Sequence, residues 1–218
     1  MKEPEAPELP QVEYLCNQLG RNLGIPVAEF FIINFNQEIV FVTKNFITST
    51  TPTDLQHIYH FRDDNDHSCE SLIKIVSSKT NRPYDVNVLI NTILFDALIG
   101  NHDRHGRNLA FIVKSSQITL SPIYDNVSYL SLEKGNMLKA DFNPRGKIAT
   151  RATIDPTMSD YVKELKRLGC HEEVEKFDSN IHLPQIYQLI DNSLCSKLMK
   201  TAIRTLINKR HQELSNEK

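Results

Sequence analysis

The 218-residue chain has no tryptophan and only 7 glycines. Glycine makes up about 3% of it, where ~7% is ordinary. The seven are Gly20, Gly24, Gly100, Gly106, Gly135, Gly146 and Gly169, none adjacent, with none between Gly24 and Gly100. That spacing excludes the G-x-G-x-x-G dinucleotide fingerprint, the Walker A loop and the glycine-rich loop of protein kinases. Any nucleotide bound here is held in another way. Long apolar runs are lacking too. The most apolar stretch, Val88 to Ile99, contains Asn91 and Asp96 and is too short to span a bilayer. The opening MKEPEAPELPQ is charged and proline-rich, unlike a signal peptide. No membrane partner is expected, and the expected location is cytoplasmic, with a secreted effector as the alternative.

Neither charge sign dominates. Lys plus Arg number 25 and Asp plus Glu 27, a formal net charge of −2. A nucleic-acid binder usually concentrates basic residues on one face, so no direct nucleic-acid partner is expected. The four cysteines, Cys16, Cys69, Cys170 and Cys195, show neither C-x-x-C spacing nor a zinc-finger arrangement with histidine. They read as reduced thiols, with Cys16 and Cys195 acting as small apolar residues on helices. The cluster Asp63-Asp64-Asn65-Asp66 lacks the glycine and terminal glutamate of an EF-hand and reads as a solvated loop.

What is present is a mixed α+β pattern. Val12, Leu15, Cys16, Leu19 and Leu23 recur at helical spacing and end at Gly24 and Pro26, predicting a helix over 12–23. Val27–Asn34 and Glu38–Phe46 are β-branched and aromatic around a polar turn, predicting a hairpin. A Ser/Thr/Pro link follows at 47–54, with Thr53 or Asp54 expected to cap a short helix. Helices are expected at 68–77 and 84–99, the second apolar on nearly every face and therefore in the core. Strands are expected at 109–114 and 117–120, and further helices at 157–168, 171–178, 184–192 and 195–213. The chain therefore divides into a helix-plus-hairpin unit of residues 1–48 and a mainly helical part, 49–218.

The chemistry concentrates in Gly100-Asn101-His102-Asp103-Arg104-His105-Gly106-Arg107-Asn108, directly after the most apolar helix. Asp103 and Asn108 form a D-x-x-x-x-N pattern, and Tyr124-Asp125 follows beyond the expected strand pair. Phosphoryl transfer needs one carboxylate to orient and deprotonate an acceptor hydroxyl. It also needs an amide oxygen and a second carboxylate to hold magnesium against the nucleotide phosphates. Asp103, Asn108 and Asp125 supply these types in the order used by protein kinases. His102 and Arg104 read as solvent-facing or loop-shaping, Arg107 as a solvated charge and Tyr124 as packing. A solvated helix-exit loop is the alternative for the segment taken alone.

Gly100-Asn101-His102-Asp103-Arg104-His105-Gly106-Arg107-Asn108 followed by Leu120-Ser121-Pro122-Ile123-Tyr124-Asp125 resembles the core of the HipA-like toxin kinases, with its G-N-x-D-x-H-x-x-N and L-x-P-x-Y-D runs. Asp103-Arg104-His105 to Asn108 is also similar to the D-R-H-x-x-N loop of phosphatidylinositol kinases. The resemblance reaches further, to Leu9–Cys16, to Gly24-Ile25-Pro26-Val27, to a hinge at Thr43-Lys44-Asn45-Phe46, and to Met137–Asn143 and Pro156-Thr157-Met158 of short HipT-type members. It implies a two-lobe, protein-kinase-like α+β fold with a truncated small lobe over 1–48 and a helical large lobe over 49–218. It implies a Mg-ATP-dependent serine/threonine kinase. Asp103 is then the catalytic base, Asn108 and Asp125 hold Mg2+, and Lys44 and Phe46 of the hinge bind ATP. Lys2 is the ATP-binding lysine with Glu13 as its helix partner, or else a free terminal lysine. His105 either shares in proton handling or shapes the loop. In this family the protein substrate is often an aminoacyl-tRNA synthetase, and the partners include an antitoxin. The alternatives are a binding module without catalysis and one part of a split kinase whose phosphate-covering loop comes from a partner.

Overall fold

The computed structural model describes residues 7–47, 52–61, 66–115, 117–133, 142 and 145–217. Helix α1 (Leu9–Asn22) opens the fold, with Pro10 in its first turn where a missing N–H costs nothing. It buries Val12, Leu15, Cys16 and Leu19, leaves Gln11, Tyr14 and Gln18 half-buried, and exposes only Arg21 and Asn22 at its end. Strands β1 (Phe30–Phe35) and β2 (Glu38–Thr43) form an antiparallel two-stranded sheet with Phe35 opposite Glu38. Asn36 and Gln37 both have positive φ, 50° and 65°, the backbone of a two-residue hairpin turn that matches strand twist. The expected first strand began at Val27. Instead Val27 forms a single parallel bridge to Ile123, and the strand starts at Phe30.

Thr53 and Asp54 do not cap a helix. They begin strand β3 (Thr53–His57), which pairs antiparallel with β4 (Ala110–Lys114), itself paired with β5 (Gln117–Leu120). The short polar segment lacks apolar alternation, and its strand character comes from a ladder with residues over fifty positions away. A 3-10 turn, Ile58–Phe61, follows β3.

Helix α2 (Cys69–Thr80) starts where the Ser68 hydroxyl accepts the Ser71 N–H, a cap worth about 1 kcal/mol. Helix α3 (Pro83–Ile99) is the core, packed by α2 and by α4 (Met158–Arg167), α5 (His171–Ser179) and α7 (Lys197–Asn216). Helix α6 (Leu183–Asn192) lies between α1 and α7. Thr157, in the family-like Pro156-Thr157-Met158, caps α4 in a reciprocal box with Asp160. Gly100 ends α3 in the left-handed conformation, φ 69°, and a Cβ there would meet Leu206 and Tyr129 at 2.9 Å. No other residue fits both demands, so the loop after α3 leaves the core at a fixed point. All four cysteines are free and buried. Among the described residues no helix is long and apolar enough to cross a membrane.

Candidate active site

The loop 101–108 folds on itself by local hydrogen bonds. The Asp103 N–H donates to Asn101 Oδ1 at 3.1 Å, the His105 N–H to Asp103 O at 2.8 Å and the Asn108 N–H to His105 O at 2.9 Å. Gly106 presses on the 3-10 turn: its carbonyl accepts the Tyr59 N–H at 3.1 Å, and a Cβ would lie 2.8 Å from Tyr59 Cβ. Asp103 stands exposed at the loop's outer side.

Past β5, Pro122 and Ile123 run beside the small lobe. The Ile123 N–H donates to Pro26 O at 2.8 Å, and Ile123 O accepts the Ala28 N–H at 3.0 Å. Asp125 then takes a left-handed backbone, φ 57°, which aspartate tolerates better than most residues. The Asn108 amide nitrogen donates to Asp125 Oδ2 at 2.7 Å and to Asp103 O at 3.2 Å. One side chain thus spans the two loops. Among the described residues nothing donates to Asn108 Oδ1, so that oxygen is available to a cation together with the Asp125 carboxylate. This donor set, one amide oxygen and one carboxylate, is hard oxygen of the kind magnesium prefers. Among the described residues no group of three or more His, Cys, Asp or Glu side chains gathers to hold a metal by itself. A magnesium ion held here would share its coordination with water and phosphate, as that ion usually does.

Beside Asp125 lies a cleft of about 360 Å³. It is lined by Glu13 of α1, by Thr43–Ile47 after β2, by Leu55 and His57 of β3, and by Tyr124 and Asp125. The expected hinge residues Lys44 and Phe46 are both in this wall. Lys44 Nζ pairs with Glu29 at 2.7 Å, while the Phe46 ring lies 5.8 Å from the Tyr124 ring. Tyr124 is thus half-buried in the cleft wall rather than a core residue, its hydroxyl donating to Arg107 O at 2.9 Å. Burial pushes its phenol up to about 12. Glu13 is withdrawn from water, and this, with the nearby Asp125 charge, raises its carboxyl to about 8. The expected lysine partner of Glu13, Lys2, lies outside the described residues, as do Met137–Asp141 and Asn143.

His105 is half-buried, and its Nδ1 accepts the Arg107 N–H at 3.3 Å, a loop-shaping bond. His102 lies at the loop surface, and partial withdrawal of its ring from water beside the Tyr129 ring holds its imidazole below the ordinary value. Arg104 departs from a solvent-facing reading: it is 1% exposed and bonded to Asp96 of α3. The missed signal was Asp96 itself, an acid in an otherwise apolar helix, which demands a buried cation or donor. Asn17 of α1 and Asn126 were also not anticipated. They are buried, with the Asn126 amide donating to Asn17 Oδ1 at 2.9 Å.

A helix-and-hairpin small lobe, a helical large lobe, and a cleft lined by Asp125, to which Asn108 is bonded, define a protein-kinase-like α+β fold. A family model for the HipA-like C-terminal domain matches residues 1–181, so the chain belongs to that family. Solved structures share the fold, two of them as follows. The Helicobacter pylori proinflammatory kinase CtkA aligns with a TM-score of 0.78 at 18% identity, over 94% of this chain and 84% of CtkA. The Shewanella oneidensis MR-1 toxin HipA, solved with HipB and operator DNA, aligns with a TM-score of 0.67 at 17% identity, over 95% of this chain and 55% of HipA. No curated protein sequence matches the chain.

Proposed function

We propose that the chain is a Mg-ATP-dependent serine/threonine protein kinase of the HipA type, with a small lobe over residues 1–48 and a large lobe over 49–218. The observation that carries this reading is the bond between Asn108 and Asp125, which joins the two expected metal ligands across two loops at the mouth of the cleft. Magnesium held by Asn108 Oδ1 and Asp125 supplies neutralisation of phosphate charge when bound. Asp103, exposed and on a loop pinned to the core, accepts the proton of the acceptor hydroxyl as its oxygen bonds to the γ-phosphorus and ADP leaves. Phe46 and Tyr124 offer the nucleotide base an aromatic wall. Lys44 first has to leave Glu29, an exposed pair that holds it weakly. His105 shapes the loop through Arg107. Lys2 approaching Glu13 would place an ammonium beside the phosphates and stabilise the charged carboxylate. The test is transfer of labelled γ-phosphate from ATP to protein hydroxyls, with Mg2+ and with excess chelator. Transfer that survives the chelator overturns the metal assignment.

A second reading, one part of a split kinase with a protein partner such as an antitoxin, rests on the hairpin. Phe31, Ile33 and Phe35 point away from α1 and are 45%, 45% and 62% exposed. Contiguous exposed apolar groups on a two-stranded ribbon are what a partner covers. Co-purification with neighbouring gene products, compared between wild type and I33E, separates the two readings. Activity of the isolated chain contradicts the second.

A further inference from the structure

Arg104 follows the expected catalytic base directly, yet it takes no part in lining the cleft. Its donors end on four residues of three separate segments. Nε and Nη2 reach both oxygens of Asp96 on α3, at 2.8 and 2.9 Å. Nη1 reaches Tyr124 O at 2.8 Å and Asn108 O at 3.3 Å. Nη2 also reaches Asn126 Oδ1 at 2.5 Å. Tyr124 and Asn126 are the two neighbours of Asp125, so the guanidinium grips the strained aspartate from both sides and holds the backbone of Asn108 as well. The chain of bonds continues from Asn126 to Asn17 of α1, whose amide donates to Glu13 O at 2.7 Å. Burial works against the cation, but the Asp96 charge, the hydrogen bonds to Asp96 and the Asp125 charge together hold the guanidinium above its ordinary value, so it stays charged.

We infer that Arg104 is a positioning residue for the Asn108–Asp125 pair, acting through the backbone on either side of Asp125 and never through contact with substrate. The inference rests on the proposed kinase reading for its function, but its geometry stands apart from it. A buried ion pair is by itself weak evidence for stability. What marks this one is that three of its five bonds go to Asn108 or to the neighbours of Asp125. The planar fork of arginine meets these targets in fixed directions, which a lysine ammonium does not.

The test uses D96N/R104Q, which removes both charges together and leaves no lone ion in the core. Amide hydrogen exchange is expected to speed up about tenfold at Asn108 and at 124–127 together, with α7 unchanged, because a local opening has been made easier. Mn2+ affinity in the presence of ATP, read by water-proton relaxation, is expected to fall about tenfold or more, the usual effect of losing an outer partner of metal ligands. R104K, which keeps the charge but not the fork, is expected to follow the double variant. Wild-type Mn2+ affinity in R104K, or exchange unchanged at either loop, overturns the inference. If the double variant does not fold, N126A, which keeps the Arg104–Asp96 pair, decides it by the same two readings. Failure of wild type to take up Mn2+ with ATP would count against the kinase reading instead, and the exchange data would still decide the role of Arg104.

Discussion

Asn108 and Asp125 lie seventeen positions apart and meet through one hydrogen bond of 2.7 Å between amide nitrogen and carboxylate oxygen. The antiparallel ladder of β4 and β5 brings the two segments together, and the bond ties the residues proposed as magnesium ligands to each other. D125N tests this directly. Asparagine also tolerates a positive φ, and the position is exposed, so the melting temperature should stay within about 2 °C of wild type. Phosphate transfer and Mn2+ binding should nevertheless be lost. A variant that unfolds, or one that binds Mn2+ normally, contradicts the assignment.

Glu13 makes stability depend on pH. Its carboxyl is at about 8 in the folded chain against an ordinary 4.5. A raised folded value means the folded state binds the proton more tightly. The contribution is therefore complete below about pH 4.5 and is lost as pH rises through 8. Urea denaturation of wild type against E13Q should show wild type losing about 3 kcal/mol relative to the variant between pH 5 and 9, after allowance for partial solvation. A difference independent of pH would place Glu13 in an ordinary carboxylate environment.

Gly106 should resist any side chain. The Cβ of G106A meets Tyr59 Cβ at 2.8 Å and Tyr59 backbone atoms at 3.1 and 3.2 Å. Backbone does not move aside cheaply, so the variant should lose about 1–3 kcal/mol in chemical denaturation. Y59A keeps its Cβ, so Y59A/G106A should recover little of that loss. Full recovery would mean the Tyr59 ring, not its backbone, sets the contact.

Much of this architecture is legible in the residues. The apolar spacing of Val12 to Leu19 marks α1, and the all-round apolarity of Val86 to Leu98 marks α3 as the core. The turn read over 34–37, which the structure narrows to Asn36-Gln37, and the strand pair 110–120 follow from local signals. Strand β3 does not, because Thr53–His57 owes its form to β4, a nonlocal partner. The site divides in the same way. Asp103, Asn108 and Asp125 stand out by type and order, and the fold brings Asn108 and Asp125 into contact. Arg104 looks like a surface charge in sequence, since only three-dimensional packing brings Asp96, Tyr124 O and Asn126 around it. Asn17 and Asn126, 109 positions apart, carry no signal that they meet.

The most direct measurement is γ-phosphate transfer from Mg-ATP by wild type and D103N, with Mg-ATP binding followed by calorimetry in both. Asp103 is exposed, so the variant should fold and bind Mg-ATP with little change. Its transfer rate should fall by about 10³-fold, the scale of a lost general base. Undiminished transfer by D103N would contradict the account.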